Sequence, residues 1–440
     1  MAITVGLDFG THQTKICYET SEAGTLFYDV FKFKDPSGEE KLTLPSFIRR
    51  CADGTLRYGY EAAQKETGSP AVTYFKQIMF SWTATQSERN EAELWAVLYL
   101  AYVVFHLDVG LRDGYSVHMG MPTDADPEHY GFCKWQAVKV LAAAMLMVRQ
   151  AFKRNLSKFL ATQEHELKKL ASECLGVIPS DINAVRRRFP ILVFPEAYVV
   201  LIPLINDRKL PSVGPNLFVD IGGGTVDISF FTNQMDESVG VNRPCLYQYH
   251  SAPYGLNMIT GQNLKTSHNV EIGQGQITRQ CVERFRRELV KAVTSMMHIL
   301  KEEYVRQEKT HIMPFTNLCG QILDRRPICY SGGGSMFSSL KLAISDSNGG
   351  VHYNFAHVTT VSELIDHSKL YVSDKMFHVF ATAFALSHQS LISGMRGMQD
   401  PDSIKLVSVS RLFSGIVAHR EYVQPVSFRG ERPKRWTWYI

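Results

Sequence analysis

The sequence has no paired cysteines. Its eight, Cys17, Cys51, Cys133, Cys174, Cys245, Cys281, Cys319 and Cys329, are scattered, with no CxxC. Zinc ribbons and disulfide scaffolds need closer spacing, so these read as reduced, mostly buried thiols. An excess of either charge is lacking too: 47 basic and 43 acidic residues leave a net charge of +4 over 440 residues, too little to argue for nucleic acid. The fifteen histidines form no HExxH pair. No apolar run approaches the roughly 18 residues of a membrane span; "VLAAAMLMV" at 140–148 comes nearest. The start, "MAITVGLDFG", has neither the basic region nor the long apolar core of a signal peptide. Together these absences predict a soluble cytoplasmic protein without a zinc, membrane or nucleic-acid partner.

What is present is an ordinary globular balance, 45% hydrophobic and 20% charged, in a chain long enough for two or more cores. "ITVGLDFGTHQTKICYE" from Ile3 reads as strand, turn, strand, with Ile3, Val5 and Leu7 alternating before Gly10. Residues 91–107 read as a buried helix, 115–122 as a strand ending at Pro122, and 128–150 as a helix. Phe152, Leu156, Phe159, Leu160, Leu167, Leu170 and Leu175 carry helical periodicity on through 151–175. "PILVFPEAYVVLIPLI" reads as a strand and short helix, and 278–304 as a long amphipathic helix. "PICYSGGGSMFSSLKLAI" at 327–344 reads strand, glycine turn, helix; 374–389 reads as a helix, and "SIKLVSVSR" as a strand.

The stretch "LFVDIGGGTVDIS", Leu217 to Ser229, raises the chemical question. Consecutive glycines let backbone amides approach a ligand and form an anion nest. Asp220 and Asp227 would repel a bare phosphate, so the pattern suits a phosphate that arrives with a divalent cation. The same plan, apolar strand, Asp, Gly turn, Thr, second strand, occurs about 210 residues earlier in "VGLDFGTHQTKI". Two such hairpins, one per half-chain, would face each other across a cleft.

These motifs resemble the ATPase fold shared by actin, sugar kinases and the DnaK-type heat-shock chaperones. "LDFGTHQTKI" is similar to its first phosphate loop, "DIGGGTVDIS" to the second, "YSGGGSMFSSL" to the adenosine loop and "FATAFALS" to the second connecting helix. The chaperone branch fits best: "AVTYFKQIM" resembles its catalytic-lysine segment and "VHMGMPTD" the strand before its first connecting helix. The resemblance spans about residues 3–390. It implies an α/β fold of two lobes, built as duplicated ribonuclease-H-like domains, with ATP and Mg2+ in the cleft between them. The lobes would be 1–205, with a helical insertion at about 151–190, and 206–390, followed by a C-terminal extension at 391–440.

It also implies roles. Asp8 and Asp220 would hold hydrated magnesium. Backbone amides of Gly10, Thr11 and His12, and of Gly222, Gly223, Gly224 and Thr225, would cradle phosphates. Thr225 would orient water or touch the γ-phosphate, Lys76 would stabilise the transferred group, and Asp227 would accept a proton or support the metal. Gly333, Gly334 and Ser335 would pass under adenosine. Arg284, Arg287 or Lys291, with Arg287 chosen, would reach adenine. Three departures stand out. "VFPEAY" puts Phe194 where the chaperones have a glutamate and displaces Glu196 by two positions. The stretch from Pro122 to Pro195 is long. The sequence after the ATPase fold is too short for a peptide-binding domain.

The resulting expectation is a slow, chaperone-like Mg-ATP switch acting on a separate protein, through the 151–190 insertion or the basic tail from Arg429 to Ile440. The insertion reads equally as a longer helix covering core. An actin-like filament-forming ATPase with self-assembly, a small-molecule kinase, and a nucleotide binder without turnover are the alternatives.

Overall fold

A computed structural model of the chain describes residues 3–388, apart from 23, 64–70, 112–113, 124–125, 207–214, 237–240, 253, 261–276, 307–314, 316–325 and 348–350. The expected C-terminal strand, extension and tail therefore lie outside the described residues. Alternating apolar residues build the first sheet from β1 (Ile3–Phe9), β2 (Gln13–Glu22), β3 (Thr25–Val30), β4 (Tyr115–Met121) and β5 (Ile191–Pro195), in the order β5-β4-β1-β2-β3, with the short sixth strand Thr43–Pro45 pairing with the start of β2. The second contains β6 (Asn216–Ile221), β7 (Val226–Asp236), β8 (Val241–Ala252), β9 (Pro327–Ser331) and β10 (His357–Thr360), in the order β8-β7-β6-β9-β10.

The two sheets have one topology. Each opens with two antiparallel hairpin pairings, β1/β2/β3 and β6/β7/β8. Each then adds two parallel strands on the far side of its first strand. This duplicated order is the two-lobed arrangement that the sequence resemblance implies. In both lobes the glycine turn lies at the C-terminal end of the first strand, where ligands of open α/β sheets collect.

Three apolar clusters hold the layers. The first joins β1, β4 and β5 to α2 (Gln86–Gly110) and α3 (Pro127–Leu146), after the short α1 (Phe75–Met79). A capping box starts α2: Thr85 Oγ1 accepts from the Glu88 amide and Glu88 accepts from the Thr85 amide. Asp126 caps α3, with Pro127 in its first turn. By length and composition, Gln86–Gly110 and Glu128–Ala151 could each cross a bilayer, against the expectation that no stretch comes close. Yet 72% and 78% of their apolar windows are buried within the fold.

The insertion is not one continued helix. After a wider π turn, Met147–Ala151, Lys153 and Arg154 take φ of 49° and 62°, and the chain turns back. Arg149 and Arg154 both donate to the buried Asp108, which fixes that break. The chain resumes as α4 (Leu156–Ala161), α5 (Glu164–Gly176) and α6 (Ile182–Arg188). Phe159, Leu167, Ala171 and Val185 are fully buried in the first lobe's core. Arg50 grips Glu164 from Nε at 2.7 Å and Nη2 at 3.0 Å, and Lys168 lies 4.1 Å over the Trp95 ring. The segment covers core.

The second cluster packs the long amphipathic α10 (Arg279–Arg306) on the second sheet, behind the short α9 (Leu256–Thr260). The third fills the space between the sheets with α7 (Glu196–Val199), α8 (Leu201–Asn206) and α11 (Asp374–Ser387). Late in sequence, α11 packs on β1 and β2 of the first lobe as well as near β9, so it serves both lobes. A side chain at Gly6 would strike the backbone of Ala383, Leu386 and Ser387, which explains glycine in mid-strand. His118 lies neutral beside the same helix, donating from Nδ1 to the Leu386 carbonyl; burial lowers its pKa to about 4.

Candidate active site

The two hairpins carry the site at equivalent positions. In the first, Asp8 lies opposite Lys15; in the second, Asp220 lies opposite Asp227. Lys15, which the motif reading passed over, donates to Asp8 Oδ2 at 2.8 Å. Burial disfavours the Lys15 charge, but Asp8, with Glu196 and Asp220 nearby, outweighs it and holds its pKa above the ordinary lysine value.

Both turns have their carbonyls tied back and their central amides open. In the first, Ser46 donates its hydroxyl to the Gly10 carbonyl at 2.7 Å and its amide to the His12 carbonyl at 2.8 Å. The buried Tyr99 and Thr14 continue this network. In the second, amides of Gly255, Leu256 and Asn257 donate to the carbonyls of Gly224, Gly222 and Gly223. The amides of Thr11, His12, Gly223 and Gly224 donate to no backbone carbonyl among the described residues. Such free, neighbouring amides are what an anion nest requires.

Four acids converge here. Asp220 is half-buried with its Oδ1 shut off from solvent; burial first, then Asp227 and Asp8, push its pKa up to about 8. Its Oδ1 has no partner among the described residues. Asp227 accepts from Tyr249 Oη at 2.6 Å and from Thr225 Oγ1 at 3.3 Å. Glu196 accepts from Lys76 Nζ at 2.6 Å; burial raises its pKa, Lys76 opposes this, and Asp8 adds to it. Gly120 leaves room for this carboxylate, since a Cβ there would meet it. Phe194 points instead into the layer between the sheets, 5.3 Å from the His118 ring. Glu196, two residues on at the start of α7, thus brings an acid to Lys76 from beyond Pro195.

A divalent cation fits this donor set: two acids from opposite lobes, one with an orphaned buried oxygen and a raised pKa that a cation would relieve. No three acidic, imidazole or thiol side chains among the described residues group tightly enough to ligate one ion. Asp8 and Asp220 are the residues that would hold a cation that keeps most of its waters, such as Mg2+.

The third glycine turn differs from its expected form. After β9 come two 3-10 turns, Gly333–Met336 and Ser338–Leu340, where a helix was expected. Gly332 is the left-handed residue, φ 80°, and a Cβ on it would strike Asp220 Oδ1 and Ile221. Gly334 is buried against Ile221, and Ser335 closes its own turn by donating to the Gly332 carbonyl at 2.7 Å. Gly333 alone of the expected three faces open space, with only Leu256 nearby. Arg287 is exposed on α10, as are Arg284 and Lys291, and no hydrogen bond or ion pair ties Arg287 to the turns among the described residues.

His12 and Asn257 were the other surprise. The Asn257 amide bonds His12 Nε2 across the cleft and Tyr74 Oη at 3.4 Å. Lys15 was legible as the seventh residue after Asp8, matching Asp227 after Asp220. Tyr249, Ser46 and Asn257 carry no such sequence signal.

No protein-family model and no curated protein matches the sequence. Among solved structures, MreB5 of Spiroplasma citri bound to AMPPNP is similar at 13% identity and TM-score 0.39, over 91% of this chain and 99% of its own. The same protein bound to ADP gives 14%, 0.39, 91% and 99%. A non-polymerising mutant of MamK bound to AMPPNP gives 14% identity and TM-score 0.40, over 88% of this chain and 98% of its own. The fold stands on the duplicated strand order.

Proposed function

We propose that the cleft binds Mg-ATP and hydrolyses it slowly. The observation that carries this reading is the pairing of Asp8 and Asp220, at one register position in two hairpins, beside two turns with free amides. The amides of Thr11, His12, Gly223 and Gly224 take the phosphates. Asp8 and Asp220 would hold magnesium, which would neutralise phosphate charge. Lys15 and Lys76 add fixed positive charge within a buried site, where it acts strongly. Thr225, held by Asp227, positions the attacking water. Its oxygen bonds the γ-phosphorus, the bond to the β-bridging oxygen breaks, and ADP leaves. The water proton passes to the acidic cluster, in which Asp227 holds Thr225 and Glu196 is paired with Lys76. Gly332, with Gly333 open beside it, forms the floor for the nucleoside.

For the output of this cycle we favour self-assembly in the cytoplasm over a chaperone-like switch. The switch drew on a docking arm at 151–190 or on the basic tail; the first is packed as core cover, and the second lies outside the described residues. The edge strand β3 presents Leu26 and Phe27, 38% and 50% exposed, next to unpaired backbone, a surface suited to lateral contact. Sedimentation with Mg-ATP, with ADP and without nucleotide, alongside phosphate release, tests both parts. Turnover with ATP-dependent polymers supports the reading. Turnover without assembly leaves the switch acting on a separate protein. Phosphate transfer to an added metabolite would indicate the kinase, and no turnover would remove the ATPase.

A further inference from the structure

We propose that His12, Tyr74 and Asn257 form a latch across the cleft that must open before the phosphates of a nucleotide can enter. The proposal rests on the reading of the cleft as a nucleotide site and adds a gate to it. His12 belongs to the first turn, and Asn257 to the helix that backs the second. The Asn257 amide bonds both His12 Nε2 and Tyr74 Oη. The His12 and Tyr74 rings meet edge to face, with centroids 5.3 Å apart. The imidazole covers Gly223 so closely that a Cβ there would fall on the ring, and Gln77 covers Gly224 in the same way.

These contacts compete with phosphate. The amides of Gly223 and Gly224 are the anion donors of the second turn, and the side chains of His12 and Gln77 pack against the Cα atoms of the same two glycines. Burial and the neighbouring Lys15 keep His12 neutral, lowering its pKa to about 4, so the ring is no counterion for an incoming phosphate. Its Nδ1 is buried without a partner among the described residues. The ring is held by one hydrogen bond and one ring contact. The hinge is at hand. Tyr74 has φ 61°, a left-handed conformation rare outside glycine, and directly precedes the helix that carries Lys76 and Gln77. Releasing Asn257 would let this segment move with Lys76, so opening the gate and placing the charge are one motion.

A protein whose competent state is a minority binds with a rate and affinity reduced by that fraction. Stopped-flow association of a fluorescent ATP analogue with magnesium reads this in wild type, His12→Ala, Asn257→Ala and the double variant. Alanine keeps the His12 backbone amide. Each single variant is expected to associate about tenfold faster, with the double no faster than either, since both remove one restraint. Rates within twofold of wild type, or additive gains, overturn the latch. Hydrogen exchange of the nucleotide-free proteins reads it independently. Amides at 10–13 and 222–225 should exchange faster in Asn257→Ala, and unchanged protection overturns the proposal. If no form binds the analogue, the nucleotide reading fails, and exchange alone decides the latch.

Discussion

Lys15 and Asp227 occupy one position in two copies of one hairpin, each directly across from the acid that ends the first strand. The first copy therefore carries an ion pair, Asp8 with Lys15, and the second an acid pair, Asp220 with Asp227. This asymmetry gives the cleft a positive charge on one wall and a carboxylate pair on the other, which suits a phosphate bridged to a cation.

Removing Lys15 tests the first wall. Its pair with Asp8 is largely buried, with side chains 17% and 10% exposed. Lys15→Ala should cost about 3 kcal/mol, because a buried charge is left unpaired. Lys15→Ala with Asp8→Asn should recover a large part of that. Denaturant unfolding of the three proteins measures it.

Asp220 gives a pH dependence with a definite sign. Its pKa in the fold, about 8, lies above the ordinary 3.8. The folded state thus holds a proton that the unfolded state has released, and stability falls as pH rises toward 8. His12, His106, His118 and His378 act the opposite way, burial lowering their pKa from 6.5 to about 4. Above pH 6.5 they are neutral in both states. Between pH 6.5 and 8, in the absence of magnesium, the melting temperature should fall in wild type and fall less in Asp220→Asn.

The third turn separates two neighbouring glycines. Gly332→Ala must hold a side chain at φ 80° and press on Asp220. It should cost about 1–2 kcal/mol in stability and weaken Mg-ATP binding as well. Gly333→Ala, which meets only Leu256, should leave stability nearly unchanged. Thermal melts and titration calorimetry of the two variants decide this.

Glu196 and Lys76 form one pair from two segments 120 residues apart. Glu196→Gln keeps the shape and removes the charge. Hydrolysis should fall about 100-fold, as for loss of one transition-state electrostatic contact, with ATP affinity within a few-fold of wild type. Single-turnover phosphate release and binding titrations separate the two.

The hairpins and their acids were legible because a Gly-rich turn between alternating strands is a local signal. The duplication was legible for the same reason, and superposing the copies exposes Lys15. The insertion misled because its apolar spacing continues through Lys153 and Arg154. The break there is set by distant Asp108, on α2. Gly332 and Gly333 look alike in sequence, and only contact with Asp220 tells them apart. Tyr249, Asn257 and Ser46 act across long sequence separations, where residue type alone says nothing. The acid beside Lys76 could not be placed by aligning Pro195, because alternation along β5 turns Phe194 to the core and leaves Glu196 to start the next helix.

The most direct measurement is a calorimetric titration of ATP into wild type and Asp220→Ala, each with magnesium and with a chelator. The account expects binding to wild type with magnesium, weakened about 100-fold by chelation and by the substitution alike. Equal affinity in all four titrations, or no binding to wild type with magnesium, would contradict it.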